Sequence, residues 1–247
     1  MAGIETSKIY ELYYHDVDYK KKALITTLIN YFGDLATYQS EELGIGMDFL
    51  KSKNVAWVLY KWDIEIEDYP CYGERITVKT RPYSFKKFYA YRTFEILNEK
   101  GVVLGRAKSL WFLIDRDRRR PVRVNEEFYK AYKINMDKDE ELDIDPIDKI
   151  KEIHFSKDFD VRYSDIDTNR HVNNSKYVAW ALETVPLEIV LNHSIRRIKV
   201  VYEKETIYGD IIKSCTEVVD NGDEKICLHK ITNSEGKELT LLQTYWK

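Results

Sequence analysis

Cysteine is scarce: three in 247 residues, far apart and with no CxxC pair. Cys71, Cys215 and Cys227 cannot build a disulfide framework and read as reduced structural thiols of a cytosolic protein. Ten glycines and five prolines are too few for a low-complexity or collagen-like chain. Long apolar runs are missing as well. Leu110-Trp111-Phe112-Leu113-Ile114 is among the longest, so no segment is expected to span a bilayer. Charge of one sign is also absent, 39 Lys and Arg standing against 42 Asp and Glu. That balance argues against a general nucleic-acid binder, which is usually strongly basic. The start, Met1-Ala2-Gly3-Ile4-Glu5, has no basic segment followed by an apolar one, as a secretory signal would have. There is no Gly-x-Ser-x-Gly elbow and no His-Glu-x-x-His, and Gly44-x-Gly46 lacks the third glycine of a dinucleotide loop. His15, His154, His193 and His229 are scattered, each expected at the surface or satisfied in the core.

What is present is a globular composition, 44% hydrophobic and 33% charged. A chain of this length buries roughly 70–75% of its unfolded surface, as one large domain or two small ones. The sequence is also written twice. Asn98-Glu99-Lys100-Gly101 recurs as Asn233-Ser234-Glu235-Gly236, and Trp111 as Trp246, both at an offset of 135. Tyr72-Gly73-Glu74 matches Tyr208-Gly209-Asp210 at 136. His15-Asp16-Val17-Asp18 matches Ser164-Asp165-Ile166-Asp167 at 149. The larger upstream offset implies about a dozen extra residues in the first copy, between its helix and its first strand.

Each copy predicts one helix and a run of strands. Leu24, Ile25, Leu28, Ile29, Phe32, Leu35 and Ala36 make one helical stripe over 22–42, ended by Gly44 and Gly46. Val178, Ala181, Leu182 and Val185 repeat it until Pro186. Ala56, Val58, Tyr60, Trp62, Ile64 and Ile66 are expected on one side of a long strand, with Lys61, Asp63, Glu65 and Glu67 on the other. Further strands are expected at 76–80, 88–97 and 102–114, then at 195–206, 211–219, 225–232 and 239–246. One helix followed by antiparallel strands gives an α+β module whose sheet curls around the helix. The expected domains are 1–136 and 153–247. Residues 137–152, acidic and containing Pro146, are expected to be a solvated connection.

The chemistry concentrates in Asp165-Ile166-Asp167-Thr168-Asn169-Arg170-His171-Val172-Asn173-Asn174, just before the second helix. A carboxylate, an amide and an imidazole fall at alternate positions 167, 169 and 171. Helix-start N–H groups beside them lack partners and favour developing negative charge. A base, oriented donors and free N–H groups are what hydrolysis of an activated acyl group needs. Asp and Asn are also preferred helix caps, so the same loop reads equally as a cap and turn. The repeat separates the two readings. Asp167 matches Asp18, whereas Asn169 and His171 match Lys20 and Lys22, and Glu205 matches Tyr69. A cap would have been kept in both copies, so the amide, the imidazole and the acid at 205 belong to something one-sided. Glu205 is expected inside the strand over 195–206, either on its wet face or in a site.

The string 165–174, with Lys176-Tyr177 and Trp180…Glu183-Thr184-Val185-Pro186, resembles the acyl-acyl-carrier-protein thioesterases of plant plastids and bacteria, over nearly the whole chain. The resemblance implies an α+β fold of two tandem hotdog modules forming an internal pseudo-dimer. It implies hydrolysis of fatty acyl thioesters of acyl carrier protein, without metal or redox cofactor. Catalysis falls by resemblance on Asp167, Asn169, His171 and Glu205. The acyl slot falls in the first copy around Leu24, Leu28 and Phe32, and oxyanion donors fall near Val172, Asn173 and Asn174. Plant members often carry Cys after that Glu; here it is Thr206, which excludes a nucleophilic thiol at that position. Arg118, Arg119 and Arg120 are either a solvated loop or a docking patch for the acidic carrier. The other implied partners are none: no nucleic acid and no membrane, with a homodimer optional. The chain is expected in a bacterial cytoplasm. An acyl-CoA thioesterase and a non-catalytic acyl-thioester binding module are the rival readings.

Overall fold

The computed structural model describes residues 3–137 and 140–247. The chain divides into two compact units at 144/145, within the segment 137–152. In the first unit β1 (Thr6–Glu11) precedes α1 (Ile25–Glu42), α2 (Met47–Ser52), β2 (Val55–Ile66), β3 (Arg75–Lys86), β4 (Tyr89–Asn98), β5 (Val103–Asp115) and α3 (Glu126–Tyr132). Its strands lie in the order β1-β3-β4-β5-β2, every pair antiparallel. The second unit repeats the plan with β6 (Phe155–Asp160), α4 (Asn174–Leu182), α5 (Leu187–Asn192), β7 (Ile195–Tyr202), β8 (Ile211–Asn221), β9 (Glu224–Asn233) and β10 (Glu238–Trp246). Its order, β6-β8-β9-β10-β7, is the same topology position for position. Each unit is a hotdog module, a helix wrapped by an antiparallel sheet.

The apolar stripe of α1 is the centre of the first unit. Ile25, Leu28, Ile29, Phe32, Leu35 and Ala36 are all buried, each large side chain contributing about 1.5–3 kcal/mol by leaving water. Phe32 meets Trp62 and Phe94 at centroid distances of 5.7 and 5.0 Å. Leu24 departs from expectation. It is the N-cap of α1 in extended backbone and is exposed. In the second unit α4 buries Tyr177, Val178, Trp180 and Ala181.

Three further expectations are corrected. The extra residues of the first copy do not fill the gap between helix and strand. They lengthen those elements: α1 has 18 residues against nine in α4, and β2 has 12 against eight in β7. The alternation along β2 breaks at Tyr60, where pairing with β5 slips between Leu59 and Lys61. A bulge inserts one residue and reverses the facing. Before it Leu59 is buried and Trp57 packs on Phe85 and Phe128; after it Trp62, Ile64 and Ile66 are buried. Finally, β7 ends at Tyr202, so Glu205 lies in the loop that follows and not within a strand. The segment 140–152 is tied at several points, each within its own unit. Lys86 holds Glu141 in the first unit, and in the second Arg197 and Lys199 hold Asp145 while Glu217 accepts from the Lys151 N–H.

Candidate active site

The loop before α4 is built by Asp167. Its Oδ1 accepts from the N–H groups of Asn169 (2.7 Å) and His171 (3.4 Å), and its own N–H donates to the His171 carbonyl (2.8 Å). The turn needs a left-handed residue, supplied by Arg170 at φ 66°. The first unit repeats this loop nearly atom for atom. Asp18 Oδ1 accepts from Lys20 (2.8 Å) and Lys22 (3.0 Å), and Lys21 is at φ 62°. The turn-forming role of the aspartate is therefore common to both copies. It is not the helix cap in either: Asn173 caps α4, accepting from the Ser175 N–H at 2.9 Å.

What differs is the chemistry mounted on the loop. In the second unit the Asn169 amide nitrogen lies 3.5 Å from Asp167 Oδ2, and His171 Nε2 lies 3.4 Å from Glu205 Oε2. The His171 and Glu205 side chains are 31% and 35% exposed, about a third in water and the rest against protein. The four polar residues named from the sequence thus meet as two couples on one short stretch of surface. One is a carboxylate beside an amide, the other an imidazole beside a carboxylate. Asp165, beneath them, is buried. Burial alone would push its carboxyl up, but hydrogen bonds and charge from Arg162, with Lys176, hold it below the usual carboxylate range. It anchors the loop's base, as Asp16 does in the first unit through the Tyr13 N–H.

The expected oxyanion donors are narrowed. The Val172 N–H donates to the Thr206 carbonyl (3.0 Å) and the Asn173 N–H to the Asp165 carbonyl (2.8 Å). Of the three, only the N–H of Asn174, first residue of α4, has no partner among the described residues. In the first unit Leu28 and Phe32 are wholly buried and Leu24 is exposed at the start of α1. Arg118, Arg119 and Arg120 lie exposed on a tight turn after β5, pinned by Asp115, whose Oδ1 accepts from the Asp117 and Arg118 N–H groups. Among the described residues no three His, Cys, Asp or Glu side chains cluster as a metal site would need.

The thiols stand apart from this chemistry. Cys215 and Cys227 are buried, and burial pushes the Cys227 thiol up to about 11. A thiol held protonated and away from water is a poor nucleophile. Cys215→Ser and Cys227→Ser are expected to keep wild-type turnover per folded molecule in a thiol-release assay. Loss of turnover with intact folding would return a cysteine to the mechanism.

Comparison with known proteins agrees with the fold. The profile of the acyl-ACP thioesterase N-terminal domain matches residues 3–132, and that of the C-terminal domain matches residues 148–247. The chain is 26% identical to the chloroplastic palmitoyl-acyl carrier protein thioesterase of Gossypium hirsutum, covering 99% of this chain and 64% of that one. It is 28% identical to the chloroplastic oleoyl-acyl carrier protein thioesterase 2 of Arabidopsis thaliana, over 94% of this chain and 74% of the other. The crystal structure of a protein provisionally named an oleoyl thioesterase, from Lactobacillus plantarum, superposes with a TM-score of 0.94. There the identity is 27%, with 99% and 96% of the two chains covered. Two domain profiles in tandem, on two hotdog modules of which the second carries the Asp-Asn-His loop, decide the matter: the chain belongs to the acyl-ACP thioesterase family.

Proposed function

We propose that the chain hydrolyses fatty acyl thioesters of acyl carrier protein, releasing the free fatty acid and the carrier thiol and so ending chain growth. The observation that carries this reading is the one-sided site. The two units share the aspartate-built loop, and only the second mounts Asn169 and His171 on it, with Glu205 of the loop after β7 set against His171. Family membership supplies the substrate class.

In this reading Asp167 is the reactive carboxylate. It takes a proton from the attacking water or adds to the thioester carbonyl itself, giving an anhydride that water then opens. Asn169 holds the second oxygen of that carboxylate and polarises the substrate. His171, oriented by Glu205, binds the water and passes a proton to the departing sulfur, so that water is consumed and one thiol and one acid are formed. The Asn174 N–H at the start of α4 faces developing negative charge with the favourable end of the helix dipole. The acyl chain is assigned to the first unit, against Leu24, Leu28 and Phe32. Since Leu28 and Phe32 are wholly buried, a chain entering there parts α1 from the sheet.

The carrier is assigned to Arg118, Arg119 and Arg120, whose exposed charges suit an acidic partner. The site of action is assigned to the bacterial cytoplasm. Three free cysteines suit a reducing compartment, and among the described residues no helix is long and apolar enough to cross a membrane. Homodimer assembly is compatible with this reading and required by none of its steps. Thiol release from acyl carrier protein and acyl-CoA substrates, side by side, tests the assignment. Arg118→Glu with Arg120→Glu is expected to lower kcat/KM about tenfold or more on the carrier substrate at low salt and leave acyl-CoA turnover unchanged. Equal loss on both substrates removes the docking assignment. Preference for acyl-CoA in the wild type makes the chain an acyl-CoA thioesterase, and tight binding without release makes it a binding module.

A further inference from the structure

Glu205 sits on the irregular stretch 203–210, where a half-exposed carboxylate keeps one position only if the backbone around it is fixed. The next residue supplies the fixing. The Thr206 N–H donates to Tyr177 Oη on α4 (3.1 Å), and its carbonyl accepts from the Val172 N–H of the catalytic loop (3.0 Å). Its hydroxyl donates to Asp210 Oδ2, which also accepts from the Ile207 N–H at 3.1 Å. Asp210 in turn is tied through its carbonyl to the Val161 N–H (2.9 Å), at the start of the segment leading into the site. None of this is loose. Thr206 is 3% and Tyr177 2% exposed, and the Tyr177 ring stands edge-on to Trp180 and Tyr202 at 5.5 and 5.9 Å.

The first unit is an internal control for which ties the loop itself requires. The Val172 to Thr206 bond recurs as the Ala23 N–H to the Pro70 carbonyl, 2.9 Å. The Ile207 to Asp210 bond recurs as the Cys71 N–H to Glu74 Oε2, 2.8 Å. These two shape the loop in both copies. The other two cannot recur, because Pro70 has neither an N–H nor a hydroxyl and Leu28 stands at the position of Tyr177. There the residue matching Glu205 is Tyr69. The additional ties therefore accompany the acid, and folding of the loop does not need them.

We propose that Tyr177, Thr206 and Asp210 are positioning residues that hold Glu205 against His171. The inference rests on the reading that the His171–Glu205 couple serves thioester hydrolysis, and it adds the device that sets the couple's geometry. Thr206→Val keeps the backbone bonds and the shape of the side chain while removing the hydroxyl that reaches Asp210.

The test measures kcat and KM on an acyl carrier protein thioester for Thr206→Val, Thr206→Ser, Glu205→Gln and the Thr206→Val/Glu205→Gln double variant, each checked for a cooperative melt. Thr206→Val is expected to lower kcat roughly ten- to a hundredfold with KM unchanged, the cost of a misplaced catalytic group. Thr206→Ser restores the hydroxyl and is expected to restore kcat. In the Glu205→Gln background Thr206→Val adds no further loss, since it acts through the acid already removed. Equal losses in both backgrounds overturn the proposal, as does full activity of Thr206→Val beside an impaired Glu205→Gln. If Glu205→Gln itself turns over at the wild-type rate, the reading of the His171–Glu205 couple fails, and the proposal with it. If Thr206→Val does not fold, Tyr177→Phe, which keeps the ring and removes the acceptor, is carried through the same cycle with the same outcomes.

Discussion

Asp167→Asn is expected to lower kcat by about 10²–10⁴-fold on acyl carrier protein thioesters while the protein stays folded. The geometry makes this substitution unusually clean. The structural duty of the residue is to accept two loop N–H groups on Oδ1, and an asparagine carbonyl accepts them equally well. Only the charge and basicity are lost. The first unit carries the matching control in one chain. Asp18→Asn alters the same kind of turn, where Lys20 and Lys22 replace the amide and the imidazole, and is expected to leave turnover unchanged. Steady-state thiol release with melting curves on both variants reads the result. More than a third of wild-type kcat in Asp167→Asn would remove this carboxylate from the chemistry. A comparable loss in Asp18→Asn would mean that loop distortion, not lost basicity, is being measured.

Much of this arrangement was legible because it is local. The α1 stripe recurs at three- and four-residue steps, and the turns at Asn98 and Asn233 announce themselves through their own side chains. Each Asn oxygen accepts two N–H groups within the next four residues, and Gly101 and Gly236 take the positive φ that closes the turn. The Asp-Asn-His spacing is legible for the same reason, since one turn carries all three. The illegible parts depend on partners distant in sequence. Nothing in the composition of β2 marks Tyr60 as a bulge, because the slip is a property of its pairing with β5. The outer strands β1 and β6 escape notice because their residues are exposed or only half buried and leave no apolar periodicity. Glu205 was expected in a strand because Ile195–Tyr202 leads straight into it. Only the fold shows that the strand stops and the loop turns the acid toward His171. The tie from Thr206 to Tyr177 spans 29 residues and has no sequence signature.

Acid is expected to destabilise this protein through a histidine that takes no part in the proposed chemistry. His229 is 1% exposed on β9, with Nδ1 2.8 Å from Thr216 Oγ1 and Nε2 3.1 Å from Thr244 Oγ1. Thr216 continues to Thr184 in the turn just after α4, which also meets Ser214. A neutral imidazole, donating at one nitrogen and accepting at the other, fits this chain of hydroxyls. A charged one would be buried with no carboxylate among these partners, and burial pulls its pKa down to about 3 from the ordinary 6.5. Below pH 6.5 the unfolded chain therefore binds a proton that the folded one refuses, so stability falls with pH until about 3 and is flat beyond. By pH 4.5 the loss from this residue is roughly 2–3 kcal/mol. In the first unit the matching position is Phe94, which does not titrate, so the acid sensitivity belongs to the half that carries the Asp167 loop. Urea unfolding of the wild type and His229→Gln at pH 7 and pH 4.5 isolates the effect, because carboxylate titrations are common to both proteins and cancel. The wild type is expected to lose about 2–3 kcal/mol more than the variant over that interval. Parallel losses would mean that the imidazole finds a way to charge inside the folded unit.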